Sequence, residues 1–132
     1  MALFITRHSI TVLIVTGMAY TVSCNHHKDE KSKLLVRKWS YKEFKMNNET
    51  MTGKQLGIPV MEFFADGSYK FEFSGMTEEG KWKITGNELT TASDDKKTKR
   101  LKIEELTENK LVLHSEEEGN KVYITLEPDT AK

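Results

Sequence analysis

The chain is 132 residues long, 37% hydrophobic and 30% charged, with 20 Lys and Arg against 20 Asp and Glu. That length suits one domain of ordinary size, and the balanced charge leaves no long-range field to recruit nucleic acid or an anionic surface. Cys24 is the single cysteine, which excludes an internal disulfide.

In chain order, the first segment is an export address. Arg7 and His8 precede an apolar run from Ile10 to Val22, followed by Ser23 and Cys24. As a helix this run is about 20 Å long, short of the roughly 20 residues that a bilayer core requires. It fits the apolar core of an export signal. Thr21-Val22-Ser23-Cys24 resembles the lipobox of bacterial lipoproteins. The resemblance implies a signal peptide over residues 1–23, cleavage before Cys24, and lipid attachment at the Cys24 thiol, so that the membrane is a partner through an N-terminal anchor. An ordinary secretory signal with an incidental cysteine is the alternative. Two or three acyl chains anchor firmly, because each buried CH₂ adds roughly 0.8 kcal/mol.

Residues 24–33 read as a lipidated, flexible tether, since Asn25 to Lys33 offers no apolar group to bury. His26-His27 has no third ligand beside it, so no metal site is expected there. Lys28-Asp29-Glu30 resembles the lysine-plus-acidic-pair signal of Bacteroidetes lipoproteins exported to the outer face of the outer membrane. That resemblance implies an outer-membrane location with cell-surface display; the periplasmic face is the alternative.

From residue 34 to 132 the apolar pattern has a period of two. Tyr69, Phe71 and Phe73 alternate with Lys70 and Glu72, and Trp82 and Ile84 with Lys81 and Lys83. Leu101 and Ile103, Leu111 and Leu113, and Val122, Ile124 and Leu126 continue the pattern. Each run is a strand with one apolar face. Strands are expected near 36–46, 58–64, 68–75, 80–85, 88–93, 99–106, 110–117 and 120–127. In the first of them Trp39, Tyr41 and Phe44 break alternation, which predicts a bulge.

Turn chemistry sets the pairing. A three-residue loop Ala65-Asp66-Gly67 with Gly67 left-handed places Phe63 opposite Tyr69 and Met61 opposite Phe71. A four-residue loop from Met76 to Glu79 places Phe73 opposite Trp82 and Phe71 opposite Ile84. Gly86-Asn87 pairs Ile84 with Leu89, and Thr107-Glu108-Asn109, with Asn109 left-handed, sets Ile103 opposite Leu113. The corner at Gly119 sets Leu113 opposite Ile124. A slip of one residue at any turn would carry the apolar residues to the solvent face. The fold class that follows is all-β: an eight-stranded antiparallel up-and-down barrel, closed by its first and last strands, behind a signal peptide and a flexible tether.

The order Val36-Arg37-Lys38-Trp39, Phe63-Phe64-Ala65-Asp66-Gly67-Ser68-Tyr69, Glu79-Gly80-Lys81-Trp82-Lys83-Ile84, Asn87-Glu88-Leu89 and Ile103 to Leu113 resembles the lipocalin-like lipoproteins of Bacteroidetes. Lys38 stands where that family has glycine. The resemblance covers residues 34 to 127 and implies a lipocalin-like barrel with a ligand-binding role and no catalytic residues.

An eight-stranded barrel either fills its interior with side chains or holds one small ligand. Trp39, Phe63, Tyr69, Phe71, Phe73 and Trp82 are the candidate ligand-binding residues, with Met61, Ile84, Ile103, Leu113 and Ile124 completing the inner face. The same residues would equally serve as a solid core. Asn47 to Gly57 is either a flap over the mouth or a connecting loop. His114 alternates outward, and the acidic pairs, among them Glu78-Glu79 and Asp94-Asp95, read as solvated turns. No nucleophile–base spacing, phosphate loop or zinc set is present, so no enzyme activity and no cofactor are expected. The functional expectation is a membrane-anchored, monomeric lipoprotein binding a small hydrophobic ligand. The alternative is an interaction or inhibitor module for another protein or a glycan at the cell surface.

Overall fold

The computed structural model describes residues 26–130; the signal segment, Cys24 and the end of the chain from residue 131 lie outside them. One helix, α1 (His26–Leu35), precedes nine strands: β1 (Lys38–Met46), β2 (Glu49–Thr52), β3 (Val60–Phe63), β4 (Ser68–Phe73), β5 (Met76–Thr85), β6 (Glu88–Ser93), β7 (Thr98–Leu106), β8 (Leu111–Glu117) and β9 (Asn120–Pro128). The strands follow the order β2-β1-β3-β4-β5-β6-β7-β8-β9, and β1 also pairs with β9. Eight of them therefore close into an antiparallel up-and-down barrel, and β2 is added outside the ring. Among the described residues no helix is long and apolar enough to cross a membrane.

Closure comes from β1, which pairs with β9 from Trp39 opposite Pro128 to Met46 opposite Val122. The register shifts between Tyr41 and Glu43, the bulge that the broken alternation predicted. One extra residue there turns Trp39, Tyr41 and Phe44 all toward the interior.

Most predicted pairs are present: Phe63 opposite Tyr69, Met61 opposite Phe71, Ile84 opposite Leu89 and Leu113 opposite Ile124. Gly67 has the left-handed φ of 88° that its loop requires. Ile103 faces Leu113 by a different route from the one expected. Asn109 is not left-handed; a four-residue loop joins Leu106 to Leu111, and a bulge between Ile103 and Glu105 takes up the extra residue.

The β4–β5 hairpin corrects the sequence reading. The turn is Ser74-Gly75, with φ of 49° and 78°, as a two-residue hairpin loop demands. Phe73 faces Met76 and Phe71 faces Glu78, rather than Trp82 and Ile84. Residues 76–79 are thus strand, although their polarity suggests a loop. The displacement, from position 82 to position 76, is an even step, so every side chain keeps its face. Gly80 lies within β5, where a Cβ would come within 2.1 Å of the Ala92 carbonyl oxygen; only glycine allows β5 and β6 to approach this closely.

Two further segments differ from expectation. Asn47 to Gly57 is neither a free flap nor a plain loop. It forms β2 against β1, then turns at Gly53, whose N–H donates to the Lys42 carbonyl at 2.8 Å. Residues 26–33, expected as tether, belong to α1. The polar residues there include helix formers such as Glu30, Lys31 and Lys33, and the helix end is held by the barrel. Leu35 is fully buried, and the Trp39 indole Nε1 donates to the Leu35 carbonyl oxygen at 3.0 Å, satisfying a carbonyl the helix leaves open. Lys31 Nζ donates to the Gly86 carbonyl oxygen at 2.9 Å, across to the β5–β6 loop.

The hydrophobic core gathers at this pole. Leu35, Trp39, Phe63, Ile84, Leu89, Leu111 and Leu126 are all at most 2% exposed. They come from the strand ends nearest α1, which plugs the barrel.

Candidate binding cavity at the open end

At the opposite pole the inner residues do not meet across the barrel axis. A cavity of about 280 Å³ opens there, toward the loops 74–75, 94–97 and 118–119. Its apolar wall includes Tyr41, Phe44, Met61, Phe71, Phe73 and Ile124. Strand pleating places them: each lies on the inner face of its strand, beyond the level at which Trp39 and Leu113 fill the axis. Leu56 and Pro59, from the segment that turns at Gly53, complete one side. The aromatic rings form a short row. Tyr41 and Phe71 have centroids 5.8 Å apart at 39°, and Phe71 stacks on Phe73 at 6.4 Å and 16°.

Polar groups interrupt this wall at a few points. Glu78 points inward from β5 and accepts a hydrogen bond at Oε1 from the Tyr69 hydroxyl, 2.7 Å away. Burial pushes the Tyr41 phenol well above its ordinary value, and the Glu78 charge adds to the effect. The Tyr69 phenol is raised too, first by burial and then by its bond to Glu78. Thr91 and Ser115 also face the cavity, with Lys99 and Glu117 at the solvent-exposed mouth.

Of the six ligand-binding candidates, only Phe71 and Phe73 line this cavity. Trp39 and Phe63 belong to the filled half, and Tyr69 reaches the site through its hydroxyl bond to Glu78. Trp82 sits at the plugged pole, edge-on to Phe63 at 5.8 Å and 82°, with its indole N–H donating to the Phe64 carbonyl at 3.0 Å. Tyr41 and Phe44 were legible as inner residues once the β1 bulge was admitted. Glu78 was missed because its strand was read as a turn.

His114 lies outside the barrel. Its ring stacks on Tyr123 at 4.3 Å, with Nδ1 3.5 Å from Glu104 Oε1 and Nε2 buried without a hydrogen-bond partner. Among the described residues no three His, Cys, Asp or Glu side chains are grouped to hold a metal.

An eight-stranded up-and-down barrel with one plugged pole and one open cavity is a lipocalin-like fold. The sequence matches the lipocalin-like domain family over residues 35–113, and the chain belongs to that family. Two solved structures are similar. One is a lipocalin-like protein from Bacteroides uniformis, 16% identical with a TM-score of 0.59, the match covering 73% of this chain and 99% of that one. The other is an uncharacterized protein from Bacteroides eggerthii, 17% identical with a TM-score of 0.55, the match covering 70% and 98%. At such identities the likeness is one of fold. No curated protein matches the chain.

Proposed function

We propose that this protein binds a small hydrophobic molecule in the open half of its barrel while held at a membrane by lipid on Cys24. The observation that carries the binding reading is the cavity of about 280 Å³ with its aromatic wall. A solid core would have left no such space between the Phe71 and Phe73 side of the barrel and Ile124, as at the plugged pole. Membership of the lipocalin-like family agrees with binding. No acid–base or nucleophilic arrangement lines the cavity, so the role proposed is that of a carrier or sensor rather than an enzyme.

A ligand that binds only the folded state raises its stability, by about 2.7 kcal/mol at a hundredfold excess over Kd. Detergent-purified protein should therefore gain thermal midpoint with at least one member of a panel of small apolar molecules, among them indoles, monoterpenes and short fatty acids, and Ile124→Phe, which fills the cavity, should remove that gain. A panel that shifts nothing would sink the binding reading. For the anchor, outer-membrane attachment with surface display is the reading that the lipobox and the Lys28-Asp29-Glu30 signal support. Cys24→Ser should abolish acyl labelling and release a folded protein; persistent membrane attachment of that variant would overturn it.

A second reading, an interaction module for another protein or a glycan, is favoured by one feature. Among the described residues β2 pairs only with β1, which leaves its other edge open to a partner strand, and Met51 on it is 40% exposed. A partner bound there would survive Ile124→Phe and be lost on replacing Met51 with Pro.

A further inference from the structure

We infer that the group recognised in the cavity is a cation: the ligand is a small apolar molecule bearing a protonated amine, received by the Glu78 carboxylate. The inference rests on the cavity reading above and specifies its chemistry.

The position of Glu78 follows from the β4–β5 register. Opposite Phe71, it stands on the inner face of β5, half-buried, where the neighbouring inner positions hold Met76 and Gly80. A carboxylate among apolar groups needs partners. Glu78 has one, the Tyr69 hydroxyl at 2.7 Å, and forms no ion pair with any described residue. That bond orients the carboxylate and leaves Oε2 free, out of the roughly four lone-pair sites a carboxylate offers.

The surroundings suit a cation rather than an anion or a neutral guest. Phe71, which pairs with Glu78 across the strands, stands in a row with Tyr41 and Phe73, and ring faces attract cations. The elevated Tyr41 phenol stays uncharged at neutral pH, donating or accepting a hydrogen bond without adding repulsion. Lys99 is the one cationic residue of the cavity wall, but it is exposed at the mouth, where Glu117 also stands. Water and salt weaken a charge in that position more than one set among apolar side chains. Outside the mouth, Glu79, Asp94 and Asp95 surround a depression that shares Phe71, Phe73 and Glu78 with the cavity, which gives the approach a negative potential.

The volume limits the guest. About 280 Å³ equals roughly nine waters of liquid, enough for a phenylalkyl or short alkyl skeleton and too little for a long acyl chain. Phenethylamine, phenethyl alcohol and hydrocinnamate share such a skeleton and differ in charge. Calorimetric titration of detergent-purified full-length protein should show phenethylamine binding at least about tenfold tighter than the alcohol, the range of a hydrogen bond to a charged group, with hydrocinnamate weakest. Glu78→Gln should abolish the amine preference, while Glu88→Gln, an equal loss of charge at the exposed start of β6 by the plugged pole, should retain it. Equal binding of amine and alcohol would overturn the inference and leave the cavity reading standing. Tightest binding of hydrocinnamate would assign the anchor to Lys99 and overturn it too, as would an amine preference surviving in Glu78→Gln. If none of the three binds, while the wider panel does, the inference alone falls; if neither binds, both readings fall. Should Glu78→Gln fail to fold, the ordering of the three ligands on the natural protein decides.

Discussion

The two halves of the barrel are built from the same strands and differ in what meets on the axis. At the plugged pole, Trp39, Phe63, Ile84, Leu89, Leu111 and Leu126 interdigitate beneath α1, and Leu35 at the end of that helix closes the gap. At the open pole, inner positions of the barrel strands carry Phe44, Phe73, Glu78, Lys99, Ser115 and Glu117, and no helix among the described residues covers them. Alternation alone makes both halves a barrel; residue size and polarity along each strand decide which half is solid. Stability should accordingly reside in one half and recognition in the other.

That division can be broken by mutation. Trp39→Ala should cost about 3–5 kcal/mol in urea unfolding, the range for a buried aromatic replaced by a void, and also strips the Leu35 carbonyl of its donor. Phe73→Ala, beside existing empty space, should cost about 1 kcal/mol or less. Comparable losses at the two sites would refute the asymmetry. Overpacking tests it from the other side. Leu111→Phe should destabilise by about 1–3 kcal/mol, whereas Ile124→Phe, entering the cavity, should stay within about 1.5 kcal/mol.

Alkaline titration probes the boundary between the halves. The folded state holds the Tyr41 and Tyr69 phenols above their ordinary value of 10.0, so above that pH the unfolded chain releases these protons first. With more protons bound to the native state, stability falls as pH rises. It should be level up to about pH 10 with respect to these groups and decline beyond it. Tyr69→Phe should reduce the decline; an unchanged profile would show that Tyr69 does not contribute to it. The smallest effect is expected at the mouth itself. Ser74→Asn places a residue tolerant of positive φ before Gly75 and should stabilise by about 0.5 kcal/mol without altering ligand affinity.

The barrel was readable in the chain because its hairpins carry their own turn chemistry, as in Ala65-Asp66-Gly67 and Gly86-Asn87, and because first-strand alternation broke where a bulge was needed. The cavity was less readable for two reasons. Period-two patterning says which face a residue takes but not how far along the axis it lies, so Trp39 and Phe73 look equivalent although one is core and the other wall. Residues 76–79 look like a turn because their one inward polar group, Glu78, is partnered by Tyr69, a residue on the neighbouring strand that no local pattern reveals. The helix was obscured in the same way. His26–Leu35 has no apolar stripe of its own, and what orders its end is a barrel it meets through residues such as Leu35 and Lys31.

Both ends of the described chain lie at one pole. α1 rests against the β5–β6 loop through Lys31, and β9 finishes at Pro128 opposite Trp39, with the Asp129 N–H donating to the Lys38 carbonyl at 2.9 Å. The molecule is in this sense a cup held by its base. A handle joined at either end of the described residues, a bead, a fluorophore or a second domain, would be borne on the solid side, so this part of the protein can be immobilised through its own backbone with the opening left clear.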